Sequence, residues 1–255
     1  MSNKREREKR RDERLAAETQ VDTQDRRKKL LQMGAGAVFL VVVVIAALIV
    51  ISASSSDGGD ASNVKDAAAV EQELSGIPQD GLLLGDPNAP VELVEFGDLQ
   101  CPVCKANSEE ALPAVIEGQV AQGQAKISFR NFIVISAQSE LAGAAALAAG
   151  EQGRGWNYVN LFYRNQGKEG SGYADDEFLT AIAKAAGVKD IDKWNQDRNS
   201  AKVKGEVQKT NAEASRLGFE GTPSFAIKGP STDGLELLGN LSSSNEIEAA
   251  IDAAS

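Results

Sequence analysis

The apolar run Val91-Glu92-Leu93-Val94-Glu95-Phe96 leads straight into Gly97-Asp98-Leu99-Gln100-Cys101-Pro102-Val103-Cys104, which holds both cysteines of a 255-residue chain. A strand pattern that ends in C-x-x-C and gives way to a helical pattern leaves few choices of local structure. Pro102 suits the first turn of a helix, where a missing N–H costs nothing. Cys101 then stands at the helix N-terminus, against unpaired N–H groups and the positive end of the helix dipole. Those groups favour the thiolate, which is the nucleophilic form of the side chain. Cys104 falls one turn further on the same face, within reach for a disulfide.

Two plainer readings stand beside a redox pair. A structural bridge usually closes a longer loop, because its stabilisation grows with the residues enclosed. Closing two intervening residues contributes little. Half of a metal site is the other reading, but tetrahedral zinc takes four ligands. With no histidine and no other cysteine in the chain, carboxylates or a second chain would have to complete it. No metal and no organic cofactor is expected.

The absence of histidine also removes Ser-His-Asp and Cys-His nucleophile pairs and HExxH metalloprotease sites. Charge is unevenly spread. Residues 1–33 carry 11 Lys/Arg against 7 Asp/Glu, and the remainder carries 16 against 30. So acidic a remainder argues against nucleic-acid binding.

Residues 1–29 are highly charged and read as a cytoplasmic tail. Arg26-Arg27-Lys28-Lys29 then stops at Leu30, and the 22 residues from Leu30 to Ile51 carry no charge. That length suits one transmembrane helix. The basic cluster places its near end inside, so the rest of the chain is expected outside, as a single-pass membrane protein with an extracytoplasmic domain. A cleaved signal peptide is the alternative, although its apolar core is usually about 7–15 residues. Residues 52–75 read as a flexible linker, with a short helix over Val64–Leu74 capped by Asn63.

The folded domain is expected over 76–255. Strands are expected at Gly81–Gly85, Val91–Phe96, Ala125–Ile135, Gly221–Ile227 and Leu235–Leu238. A helix is expected from Pro102 to Gln122, kinked at Pro113. Residues 137–217 read as helices alone: 138–151, 156–166, 175–186, 190–199 and 201–217. A final amphipathic helix covers 244–253.

This order of elements, together with particular residues, resembles the DsbA-like thiol–disulfide oxidoreductases. The residues are Leu84-Gly85-Asp86-Pro87-Asn88-Ala89-Pro90-Val91, Glu95-Phe96 and Asp98 ahead of Cys101-Pro102-Val103-Cys104, Phe129-Arg130-Asn131-Phe132, Leu161-Phe162 with Gln166, and Gly221-Thr222-Pro223-Ser224-Phe225. The resemblance implies an α/β thioredoxin fold with an all-helical subdomain inserted, preceded here by a transmembrane helix. It implies that Cys101 is the attacking, exposed sulfur and Cys104 the buried resolving one. Pro223 matches the family's cis-proline, beside the cysteine pair, with Thr222 turned toward substrate. Pro102 and Val103 would share the substrate contact, and Glu95 would be a buried acid that passes protons. From the residues alone, Glu95 could equally be a solvated carboxylate and Pro223 an ordinary trans proline starting a strand. Asp98 reads as a turn or cap residue. Val103 departs from the family, several of whose strongly oxidising members carry histidine between the cysteines.

The function expected is an extracytoplasmic oxidase that introduces disulfides into exported proteins with free thiols. A membrane redox partner would re-oxidise the pair. An isomerase or reductase of exported proteins is one alternative, and a non-catalytic, membrane-tethered binding module another. The orientation is testable: protease applied to intact cells is expected to remove the residues beyond Ile51 and spare the first 29. The reverse pattern would overturn the argument from the basic cluster.

Overall fold

The computed structural model describes residues 60–255. The expected tail, the apolar span over 30–51 and the first part of the linker lie outside the described residues. Among the described residues, no helix is long and apolar enough to cross a membrane.

The strands are β1 (Gln79–Asp80), β2 (Leu83–Leu84), β3 (Val91–Gly97), β4 (Ala125–Asn131), β5 (Ser224–Lys228) and β6 (Glu236–Gly239). They form one sheet in the order β1-β2-β4-β3-β5-β6. β3 runs parallel to β4 and antiparallel to β5, so it is central. The helices are α1 (Ala67–Glu73), α2 (102–120), α3 (Ala137–Gly150), α4 (Gly155–Arg164), α5 (Asp176–Ala185), α6 (Ile191–Asn199), α7 (Ala201–Arg216) and α8 (Ser244–Ala254). Helices α3 to α7 all fall between β4 and β5. The architecture is a mixed α/β thioredoxin-like fold with a helical insertion.

Alternation along β3 sorts its side chains to two faces. Leu93 and Glu95 sit in register with Ile127 and Phe129 of β4 and with Ile227 and Phe225 of β5. That face packs into the main core with Leu112, Val115 and Ile116 of α2 and Ile247 and Ile251 of α8. Val94 and Phe96 point the other way and pack with Ala226, Phe132 and Ala214 of α7.

Five of the helices begin where side-chain caps satisfy free N–H groups. Ser136, Asp175, Asp190 and Ser200 each accept from a backbone N–H in the first turn of α3, α5, α6 and α7. Ser243 and Glu246 form a reciprocal capping box on α8. Helix α2 is irregular around Pro113. Proline removes one backbone N–H and crowds the preceding turn. The helix passes it between two π-helical turns, Asn107–Ala111 and Ile116–Val120.

Three expectations are corrected. The linker does not extend to residue 75, because α1 is docked, with Val70 and Leu74 in the main core. Two ion pairs strap it to the insertion, Glu71 with Arg154 and Glu73 with Arg164. Its N-cap is Asp66 rather than Asn63. The expected strand at Gly81–Gly85 shortens to β2, 83–84, which pairs antiparallel with β1, 79–80, a strand not expected from the sequence. β4 stops at Asn131 rather than Ile135, because other partners take the next N–H groups. Asn211 Oδ1 accepts from Ile133, and Asp98 Oδ2 accepts from Val134 and Ile135.

The insertion meets the sheet through a backbone contact that only glycine permits. A Cβ on Gly155 would lie 2.2 Å from the Gly81 carbonyl oxygen. Beside it, Trp156 Nε1 donates to the Leu82 carbonyl at 2.8 Å. Gly118 in α2 has open space where its Cβ would be. Gly155→Ala is therefore expected to destabilise the protein by about 1–3 kcal/mol. Gly118→Ala should stabilise it by about 0.5–1 kcal/mol by improving helix propensity. Urea unfolding of the two variants measures both, and effects of the same sign would contradict the contact.

Candidate active site

The site forms where β3 ends and α2 begins. Asp98, the residue after β3, is fully buried. Its Oδ1 accepts from Gln100 N–H at 2.8 Å, and its Oδ2 from Val134 and Ile135 N–H at 2.9 Å each. One carboxylate thus closes the turn and ties it to the loop after β4. Its carbonyl accepts from Cys101 N–H at 2.9 Å. Cys101 is the N-cap of α2, with extended backbone and Pro102 at the first helical position.

The back of the turn is held by the insertion. Gln166 Nε2 donates to the Leu99 carbonyl at 2.8 Å and to the Cys101 carbonyl at 3.1 Å. Tyr163 hydroxyl donates to the Asp98 carbonyl at 3.3 Å, and Lys105 Nζ to the Tyr163 carbonyl at 2.8 Å. The buried Gln100 accepts from Ser139 at 3.0 Å and also from Ser136. Sequence reasoning assigned no role to Gln100, Tyr163 or Lys105, and quoted Gln166 only as part of the resemblance. Their partners lie some 36 to 67 positions away in the chain, beyond any local pattern.

The expected site residues come together. Cys101 and Cys104 are both free thiols. The Thr222–Pro223 peptide bond is cis. It lies over the pair, and Cys101 Sγ donates to the Thr222 carbonyl at 3.4 Å. That contact corrects one expectation: Cys101 is only 5% exposed, against 0% for Cys104. The freely exposed residues are its neighbours Pro102 and Val103, the latter at 52%.

Electrostatics separate the two thiols. The Cys101 pKa falls from 9.0 to about 6. The chief cause is a hydrogen bond from the Cys104 thiol, helped by the Thr222 hydroxyl and the N–H groups of Cys104 and Val103, against the opposing effect of burial. Thr222 Oγ1 is buried and has no other hydrogen-bond partner among the described residues. A helix N-terminus alone contributes up to about 2 kcal/mol, or about 1.5 pKa units. The side-chain donors Cys104 and Thr222 are therefore needed as well. Cys104 moves the opposite way, driven up by burial, by its bond to Cys101 and by the charges of Glu95 and Cys101.

Glu95 is 1% exposed, so it is not the solvated carboxylate that the residues alone allowed. Burial raises its pKa to about 8, and the Cys101 thiolate adds to the shift. Its Oε1 has no protein partner. At neutral pH the site therefore holds a thiolate at Cys101, a thiol at Cys104 and a protonated Glu95.

A thioredoxin-like sheet with a C-x-x-C pair at the start of its first long helix and a cis-proline across from it defines a thiol–disulfide oxidoreductase. The chain belongs to the thioredoxin family, whose model matches residues 78–253. Among characterised relatives, it is 32% identical over 149 residues to a probable disulfide bond formation protein D of Bacillus cereus, covering 57% of this chain and 69% of that protein. Two solved structures share the fold. Oxidised BdbD from Bacillus subtilis superposes with a TM-score of 0.60 at 22% identity, covering 69% of this chain and 95% of that one. Alpha-DsbA1 of Wolbachia pipientis gives 0.58 at 23% identity, covering 68% and 89%.

The Glu95 shift carries a sign that can be checked. A carboxyl whose folded pKa exceeds its unfolded value binds a proton in the native state that the unfolded chain has released. Its contribution to stability therefore falls as pH rises from about 4.5 toward 8. The loss is on the order of 5 kcal/mol at ~1.36 kcal/mol per unit. In the reduced protein, Glu95→Gln is expected to gain on the wild type steadily between pH 5 and pH 8, measured by urea unfolding. A constant difference across that range would contradict a buried, neutral Glu95.

Proposed function

We propose that this oxidoreductase introduces disulfides into exported proteins, from a domain held outside the membrane by residues 30–51. What supports the direction is the asymmetry of the pair: a stabilised thiolate at Cys101 makes it a good leaving group and favours the reduced enzyme over its disulfide. Relatives described as disulfide bond formation proteins support the same reading.

In the oxidised enzyme, a substrate thiolate attacks Cys101 Sγ. The Cys101–Cys104 bond breaks, and the electron pair goes to Cys104. A Cys104 thiolate is strongly disfavoured in that buried position, so it takes a proton, and protonated Glu95 is the acid placed to supply it. A second substrate thiol gives its proton to the Glu95 carboxylate or to water and attacks the substrate sulfur of the mixed disulfide. Cys101 leaves as its stabilised thiolate. The substrate has lost two electrons and two protons, and the enzyme has gained the two electrons. A membrane redox partner returns the pair to the disulfide. Thr222, Pro102 and Val103 bound the approach to Cys101 and contact the incoming chain.

Trapping tests the roles. In Cys104→Ser the Cys101 thiolate attacks the disulfide of an oxidised exported protein and releases one of its sulfurs as thiolate. No second enzyme thiol remains to displace the substrate from Cys101, so covalent adducts should accumulate there. Cys101→Ser should yield few, because Cys104 is fully covered. Equal trapping by the two variants would contradict the assignment.

A further inference from the structure

Beside the cysteine pair, a groove runs along α2 away from the Thr222–Pro223 turn. Its apolar walls are Val103, Ala106, Pro223 and Leu241, and four polar residues line it, Asn107, Glu110, Asn240 and Ser242, of which Glu110 alone carries a charge. Asn107 is 5% exposed; its Nδ2 donates to the Leu241 carbonyl at 2.7 Å, and its Oδ1 has no partner. Glu110 is exposed and makes no ion pair among the described residues, whereas its neighbour Glu109 is paired with Lys105 at 2.8 Å. No cationic residue lines the groove. Asn107 and Glu110 lie in the π-helical turn Asn107–Ala111, a departure from α-helix that is frequent at functional sites. The groove thus presents apolar walls, a buried unpaired acceptor and an unneutralised carboxylate, and it is continuous with the surface that meets substrate.

We infer that the groove selects substrate segments bearing a lysine or arginine about four residues from the reacting cysteine, with Glu110 as the residue that reads that charge. Resting on the disulfide-forming reading above, this adds a substrate class to it. The spacing follows from geometry. Glu110 lies nine residues beyond Cys101, about 13 Å along a helix at ~1.5 Å per residue. An extended chain covers that distance in about four residues at ~3.3 Å each. The apolar walls take the stem of the long cationic side chain while its charged end reaches the carboxylate. Asn107 Oδ1 offers an acceptor for a substrate backbone N–H on the way.

The test uses reduced dithiol peptides identical except for Lys or Glu four residues from the first cysteine, on its N-terminal or its C-terminal side. The oxidised full-length protein is the catalyst, and kcat/KM is read for each peptide. The wild type is expected to oxidise the Lys peptide about two- to five-fold faster than the Glu peptide in at least one placement, the size of a solvent-exposed ion pair. The ratio should shrink with added salt. It should approach one in Glu110→Gln and invert in Glu110→Lys. A wild-type ratio of one in both placements, or a ratio that survives Glu110→Lys, would overturn the inference and leave disulfide formation standing. Should the wild type oxidise neither the peptides nor dithiothreitol, the disulfide-forming reading fails and takes this inference with it.

Discussion

Everything at this site depends on keeping a negative sulfur stable at the start of a helix in a nearly dry place. Burial opposes any charge on Cys101, so the thiolate persists only because several donors converge on it. The Cys104 thiol, the Thr222 hydroxyl and the N–H groups of Val103 and Cys104 together outweigh desolvation. Each arrives from a different constraint. The helix supplies the N–H groups, the C-x-x-C spacing supplies Cys104, and the loop before β5 supplies Thr222. The fold brings two distant stretches of chain, 103–104 and Thr222, to one atom, and it holds the turn from behind with Asp98, Gln166 and Tyr163.

The same burial works differently on the neighbouring groups. Cys104 and Glu95 have no comparable set of donors, so both are pushed toward their neutral forms. Three groups in contact range therefore divide into one anion and two proton carriers. Exchange needs that division: the nucleophile and leaving group is Cys101, while the proton that Cys104 requires comes from the acid behind it. Val103 adds neither charge nor a side-chain hydrogen bond to Cys101. The poise of the pair then rests on backbone and neighbouring donors rather than on the residue between the cysteines.

Much of this was legible in the chain because the signals are local. The strand before Cys101 and proline at the first helical position mark the entry to the site, and most helix ends read from the pattern lie within two residues of those observed. The five helices between β4 and β5 could be read one by one. What escaped depends on contacts across the chain. β1 and β2 are two residues each, too short to show alternation, so β1 escapes the pattern and β2 looks longer than it is. β4 looked longer because Phe132 to Ile135 remain apolar; only the distant Asp98 and Asn211 explain why the ladder ends. Helix α1 looked like part of a tether because its anchors, Arg154 and Arg164, lie some 80 to 90 positions later. Glu95 illustrates the limit most clearly. Alternation identified its face, but whether that face met water depended on α2 and α8 covering it.

The redox potential of the Cys101–Cys104 pair, equilibrated with glutathione at pH 7, bears most directly on the central claim. A stabilised Cys101 thiolate favours the reduced enzyme, at about 30 mV for each 1.4 kcal/mol. A value above about −230 mV, toward the ~ −120 mV of strong disulfide-forming enzymes, is the expected result. A value below that, near the ~ −270 mV of a thioredoxin, would mean that the thiolate does not set the poise and that the pair donates electrons rather than accepting them.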